Sequence, residues 1–324
     1  MAVAAVVIAF AWWWQLSRVE APQSAPWLYD DIRLAARDRL LAATVIGAAL
    51  GAAGLLFRTA TANPLADPAI TGVNAGAALG AVTTAFALGG AASSVTQVAG
   101  ALVGAAIAVA VTLGIGLGGR ARIGGAVAMQ RLILVGMAVS ALCSAVTSIL
   151  LVLDEAQLST VMSWLAGRLG GLRLTDCLPA AVACAALLPL LVAGGRSLDL
   201  LAAGDAVASS VGANPVRTRT AAIAAGVLLV APAVTAAGPI GFLGIIAATV
   251  AYRVCGPRHR LAIPVAAATG AAVLLVADVV GQALWAPAET PVGIITSLAG
   301  FPLVLWGVAR VGGRRQAKAP RRTA

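Results

Sequence analysis

The sequence is poor in charge. Of its 324 residues 60% are hydrophobic and only 10% are charged, against about 25% charged in soluble domains. A charge held in hydrocarbon finds no water and is costly, so the deficit identifies a chain whose solvent is largely lipid. Lysine is nearly absent, the only one being Lys318 in "QAKAP". A P-loop needs Gly-Lys-Ser/Thr to cradle phosphates, and this chain has none. The single histidine, His259, lies in "GPRHR", so no serine has an imidazole to activate it. A lone loop histidine beside arginines is also a poor metal or catalytic candidate. No helix pairs carboxylates for acid–base work. Cys143, Cys177, Cys184 and Cys255 lack metal-ligand spacing and read as small buried hydrophobes. The ten-residue alternating strands of a membrane barrel are missing as well. The chain is therefore expected to carry no covalent chemistry, no metal and no cofactor of its own.

The net charge of +10 suggests nucleic acid, but the basic residues stand at the ends of apolar segments rather than on one solvated face. A membrane helix needs about 20 apolar residues. Ten candidate segments lie near 1–16, 40–57, 69–89, 95–118, 131–153, 177–194, 219–237, 240–254, 262–283 and 291–309. The first lacks the basic start and the cleavage site of a signal peptide, and its "WWW" at 12–14 reads as an interfacial anchor. The expected fold is all-α and polytopic, with about ten transmembrane helices in one domain (1–311) and a disordered basic tail (312–324).

Ten spans place both termini on one side. The loops on that side hold sixteen of the 22 basic residues and net +13, whereas the opposite loops net −2. The positive-inside rule makes the first set, and both termini, cytoplasmic. Asp278, in "LLVADVVGQAL", is the one carboxylate inside a segment, a functional candidate by default. No cation stands in the neighbouring apolar runs, so it is expected to bond backbone, hydroxyl groups or water.

Residues 62–82, "ANPLADPAITGVNAGAALGAV", interrupt the apolar pattern. Asn63, Pro64, Asp67 and Pro68 make a turn, because each proline disfavours helix in the residue before it and Asp67 can accept free backbone N–H groups. The helix restarts with Gly72, Gly76 and Gly80, a small-residue face for close helix packing. On the cytoplasmic side, "RSLDLLAAGDAVASSVGANPVRTR" (196–219) reads as short amphipathic helices broken at Gly204 and ended at Gly212. Leu198, Leu200 and Leu201 form the apolar face, with Asp199 and Asp205 among the polar positions. Helices that lie on lipid carry Lys or Arg on the polar face. Acids there favour a protein partner.

In this order "NPLADPAITGVNAGAALGAV", "RLILVGMAVSALCSAVTSILL", "SWLAGRLGG", "LDLLAAGDAVASSVGANPVRTR", "AGPIGFLGII" and "APAETPVGIITSLAGFPLVLW" resemble the FecCD family of ABC-transporter permeases, type II importers of iron–siderophores, haem and cobalamin. The resemblance implies a BtuC-like permease fold in the cytoplasmic membrane of a bacterium. It further implies a second permease subunit, two cytoplasmic ATPases that hold ATP and Mg, and an external substrate-binding protein. By the same resemblance Leu200, Leu201, Gly204, Asp205, Ala208 and Gly212 couple to the ATPase. Arg39, and Arg37 beside it, would dock the binding protein. Ala126, Val127 and Ala128 lie where the family has its cytoplasmic gate. One departure is that Ala248 and Thr249 stand where the family has Pro-His. The implied function is import of a ferric siderophore or related chelate, with cobalamin or haem as alternatives. An ion-gradient-driven secondary transporter is the rival from another class, and a non-transporting membrane scaffold is a further one.

Overall fold

The computed structural model describes residues 1–20, 24–88, 94–117, 125–153, 162, 164–284 and 290–302. Among them there is helix and no strand. The helices are α1 (Ala2–Ser17), α2 (Tyr29–Thr61), α3 (Val73–Leu88), α4 (Ser94–Leu117), α5 (Gly125–Leu153), α6 (Leu174–Ala193), α7 (Gly195–Ala203), α8 (Asp205–Ser210), α9 (Pro215–Ala237), α10 (Leu243–Cys255), α11 (His259–Leu284) and α12 (Val292–Pro302). Among the described residues six helices are long and apolar enough to span a bilayer, and four shorter apolar ones, α1, α3, α10 and α12, join them. These match the ten apolar segments. The tail 312–324 lies outside the described residues.

α2 is the axis of the molecule. Its 33 residues rise about 50 Å, longer than the roughly 30 Å hydrocarbon core. The apolar run begins at residue 40, but the helix begins at Tyr29. Asp30 and Asp31 in the first turn favour the positive end of its dipole, so the polar start is helix standing clear of the apolar layer. α6, α9, α10 and α11 pack around α2. Its seams are lined by small residues: a Cβ on Gly47 would lie 2.6 Å from the Gly270 carbonyl oxygen, and one on Gly51 3.0 Å from the Gly270 Cα. Backbones can meet this closely only where side chains are minimal.

A second group comprises α3, α4 and α5, joined to the first through α9. Gly76 and Gly80 of α3 face Gly104 and Gly100 of α4, where any Cβ would strike the opposing backbone. Gly72 has a different place. It closes the Pro68–Thr71 turn at φ 78 and faces Val139 and Ser140 of α5. The outward faces of α4 and α5 carry Val103, Ile107, Leu134, Met137 and Ile149, all exposed, as a lipid or subunit boundary requires.

Candidate functional site

Two clusters of bonded polar side chains stand at opposite ends of the α2–α11 pair. At one, Asp278 of α11 is fully buried. Its Oδ1 accepts from Arg39 Nε at 2.9 Å and Nη2 at 2.8 Å, and its Oδ2 accepts from Gln282 Nε2 at 2.8 Å and Gln15 Nε2 at 3.2 Å. The expectation that Asp278 has no cationic partner is thus corrected. Arg39 is 239 residues away, and only the antiparallel packing of α2 on α11 brings the two together. Both carboxylate oxygens are satisfied, which is the condition under which a buried charge is tolerated. Arg37 and Arg33 are exposed on the projecting start of α2, whereas the Arg39 side chain is only 14% exposed.

At the other end sit the two short helices. α7 turns Leu198 and Leu201 inward, and the buried Ala208 anchors α8. They are broken at Gly204, whose φ of 110 suits a residue without Cβ, and Gly212 follows at φ 81. Asn214 then caps α9, its side chain accepting from Arg217 N–H. Of the expected contact residues Leu201 and Ala208 are buried, Leu200, Gly204 and Asp205 are half-buried and Gly212 is exposed. The exposed face carries Val207 and Val211, at 48% and 62%, which periodicity alone did not single out. The sequence signal that could have found them is a pair of valines beside serines on a polar loop.

Neither acid of this segment stands free in solvent. Asp205 holds Arg219 of α9 in a fork, Nη2–Oδ1 2.7 Å and Nη1–Oδ2 3.3 Å, while Arg219 Nε donates to the Ala60 carbonyl of α2 at 2.9 Å. Asp199 Oδ1 accepts from the His259 backbone N–H at 2.7 Å and lies 2.8 Å from His259 Nδ1. The histidine expected in a loop is the fully buried first residue of α11. Its Nε2 is 2.7 Å from Thr59 Oγ1 of α2. Among the described residues no group of His, Cys, Asp and Glu could hold a metal ion.

Two distant blocks of the sequence meet near the middle of α2. Asp67 accepts from the Ala69 N–H at 2.8 Å, and the backbone N–H of Phe242 also faces its carboxyl. Phe242 takes a left-handed φ of 63, costly for a bulky residue, and the Asp67 carboxyl supplies a partner for its N–H. Burial pushes the Asp67 carboxyl above the usual carboxylate range, while those two N–H groups pull it back. Nearby Pro239, Gly241, Phe242, Gly293, Ser297 and Phe301 line an open, mainly apolar cleft. Ala126, Val127 and Ala128 fall in the first turns of α5, and their side chains lie outside the described residues. At the Pro-His departure α10 runs unbroken. Ala248 is buried, Thr249 Oγ1 accepts from Arg58 Nη1 at 3.5 Å, and the Arg58 guanidinium stacks 4.3 Å over Tyr252.

Comparison with known proteins agrees with this architecture. The hemin transport system permease protein HmuU of Yersinia pestis is 34% identical over 291 residues, covering 88% of this chain and 83% of that protein. The cobalamin import system permease protein BtuC of Halobacterium salinarum is 37% identical over 288 residues, covering 88% and 74%. A structure described as the inward-facing conformation of a metal-chelate type ABC transporter superposes with a TM-score of 0.82 at 25% identity, covering 94% of this chain and 97% of that one. The model of the FecCD transport family matches residues 2–310, nearly the whole chain, and the chain belongs to that family.

Proposed function

We propose that this chain is the membrane-spanning permease subunit of an ATP-binding-cassette importer that moves a ferric siderophore or related metal chelate inward across the cytoplasmic membrane of a bacterium. The observation that carries it is the α7–α8 pair. Two short helices hinge at Gly204, buried on one face and offering Val207 and Val211 on the other, on the side where the arginine-rich loops belong. That is a docking surface for a soluble ATPase. The chain has no phosphate-binding loop, so the energy comes from that partner, which holds ATP and Mg. Both termini lie on the cytoplasmic side, and a second permease subunit completes the path.

Arg37 and Arg33, exposed on the projecting start of α2, meet acids of the external binding protein. Exposed pairs of this kind steer and orient a partner. Arg39 serves from within, holding Asp278. The cleft at Phe242 and Phe301 is the apolar wall of the path. A chelate presents its organic shell to it, so no iron ligand is required. Transport then needs only different affinities in the inward- and outward-open states.

The test is reconstitution with the cognate ATPase and binding protein in liposomes, with uptake of a ferric siderophore, haem and cobalamin measured in turn. Uptake of one of them that stops when ATP hydrolysis is blocked is expected. Uptake that persists without hydrolysis and follows an imposed proton gradient would establish the secondary-transporter alternative. Absence of ATPase stimulation by the binding protein would favour a scaffold.

A further inference from the structure

We propose that the last turn of α2 is the common seat of both short cytoplasmic helices, and that His259 is the positioning residue that fastens α7 to it. This rests on the permease reading above and adds a route for the stroke. One strut runs from Asp199 of α7 through His259, the first residue of α11, to the Thr59 hydroxyl of α2, with heavy-atom steps of 2.8 and 2.7 Å. The other runs from Asp205 of α8 through Arg219 of α9 to the Ala60 carbonyl of α2, with steps of 2.7 and 2.9 Å. They start on either side of the Gly204 hinge and end on adjacent residues of one helix. The Asp199 carboxylate and the Pro257 carbonyl near His259 Nδ1 can only accept, so that nitrogen carries a hydrogen toward Asp199. The ring is fully buried, and an unanswered ring nitrogen there would be costly.

α2 and α11 are then pinned together twice. Thr59–His259 holds one end and Arg39–Asp278 the other. From Arg39 to Thr59 is 20 residues along α2 and from His259 to Asp278 is 19 along α11, about 30 Å in each case. That is the thickness of the hydrocarbon core, so each polar pin can sit near an interface while the seam between them stays apolar. α2 carries no proline, the one proline of α11, Pro264, lies within two turns of the His259 pin, and the seam at Gly47 and Gly270 leaves no room for a Cβ. A displacement of the α7–α8 pair therefore reaches α2 and α11 together, through the pin at Thr59 and His259 and the seam beyond it.

The test uses the complete transporter in liposomes, with uptake per ATP hydrolysed as readout. The variants are Thr59→Val, His259→Asn, the two combined, and Arg219→Lys, which keeps the charge and loses the fork. Each single variant is expected to retain membrane insertion, ATPase association and ATP hydrolysis. Uptake per ATP should fall about tenfold. The Thr59→Val/His259→Asn double should fall no further than the worse single, since both cut one strut. Thr59→Val combined with Arg219→Lys should multiply. A wild-type ratio in these variants, or a loss of uptake that only tracks loss of folded protein, overturns the proposal. Should His259→Asn fail to assemble, Thr59→Val, which deletes one hydroxyl, decides alone. Hydrogen exchange reads the fastening without reference to transport. His259→Asn should loosen 195–203, and Arg219→Lys should loosen 205–210. Unchanged protection of both overturns the proposal even if the wild-type complex transports no chelate, an outcome that counts against the permease reading instead.

Discussion

Asp278 and Arg39 show how one residue pair governs a helix interface. Removing one member deprives a largely buried charge of its ionic partner, a loss of about 3–5 kcal/mol. Asp278→Ala and Arg39→Ala are each expected to lower the yield and melting temperature of inserted protein sharply. An apolar double, Arg39→Leu with Asp278→Leu, should recover most of that loss in a thermal assay on detergent-extracted protein. Equal loss in the double would show that the amides of Gln15 and Gln282, rather than the charge pair, hold the site. Asp67 makes a pH prediction. Its carboxyl titrates above the ordinary range because burial penalises the anion. Its contribution to stability is therefore full below the unfolded-state value and is lost as pH rises through the raised one. Asp67→Asn keeps an oxygen to accept from the Ala69 N–H without the charge. Its melting temperature relative to wild type should improve on going from acid toward neutral pH, and a relative decline over that window would refute the assignment.

At the scale of elements, the small residues divide into those that touch and those that do not. A Cβ on Gly80 meets the Gly100 carbonyl, while one on Gly114 of the same α3–α4 pair meets nothing within 4 Å. Gly80→Val is expected to prevent α3 and α4 from closing and to abolish folded protein by fluorescence-detected gel filtration. Gly114→Ala should be silent in the same assay. The short helices behave differently, since their exposed face is the proposed contact. Val207→Asp with Val211→Asp should leave insertion intact and deplete co-purifying ATPase, whereas undiminished ATPase would move the docking surface elsewhere. Their positions were legible because Gly204 and Gly212 punctuate an amphipathic run. α2 was legible only in part. Hydropathy reports depth in the bilayer, so the three polar turns before Leu40 read as loop although they continue the helix.

For the whole molecule, the charge asymmetry predicts a topology. A cysteine placed at Arg196 should be labelled by impermeant reagents only from the cytoplasmic face, and one at Arg33 only from outside; labelling of both from one side would overturn the ten-span arrangement. Apolar run length, proline and glycine punctuation and the uneven distribution of arginine are local properties of the chain, and they determined the helical class, the ten segments, the turn at 63–68 and the break at 204. Ordered sequence blocks determined the family. What the sequence left open were the partnerships: Arg39 with Asp278, Asp199 with His259 and Thr59, Asp205 with Arg219, and Asp67 with Phe242. Most of these join residues far apart in the chain, 239 residues in the case of Arg39 and Asp278 and 200 in the case of Thr59 and His259. Each depends on how far one helix slides along its neighbour. No local property encodes that shift; the close approach of Gly47, Gly51 and Gly54 of α2 to Gly270, Ala266 and Gly244 fixes it, and so tertiary packing alone decided which charges meet.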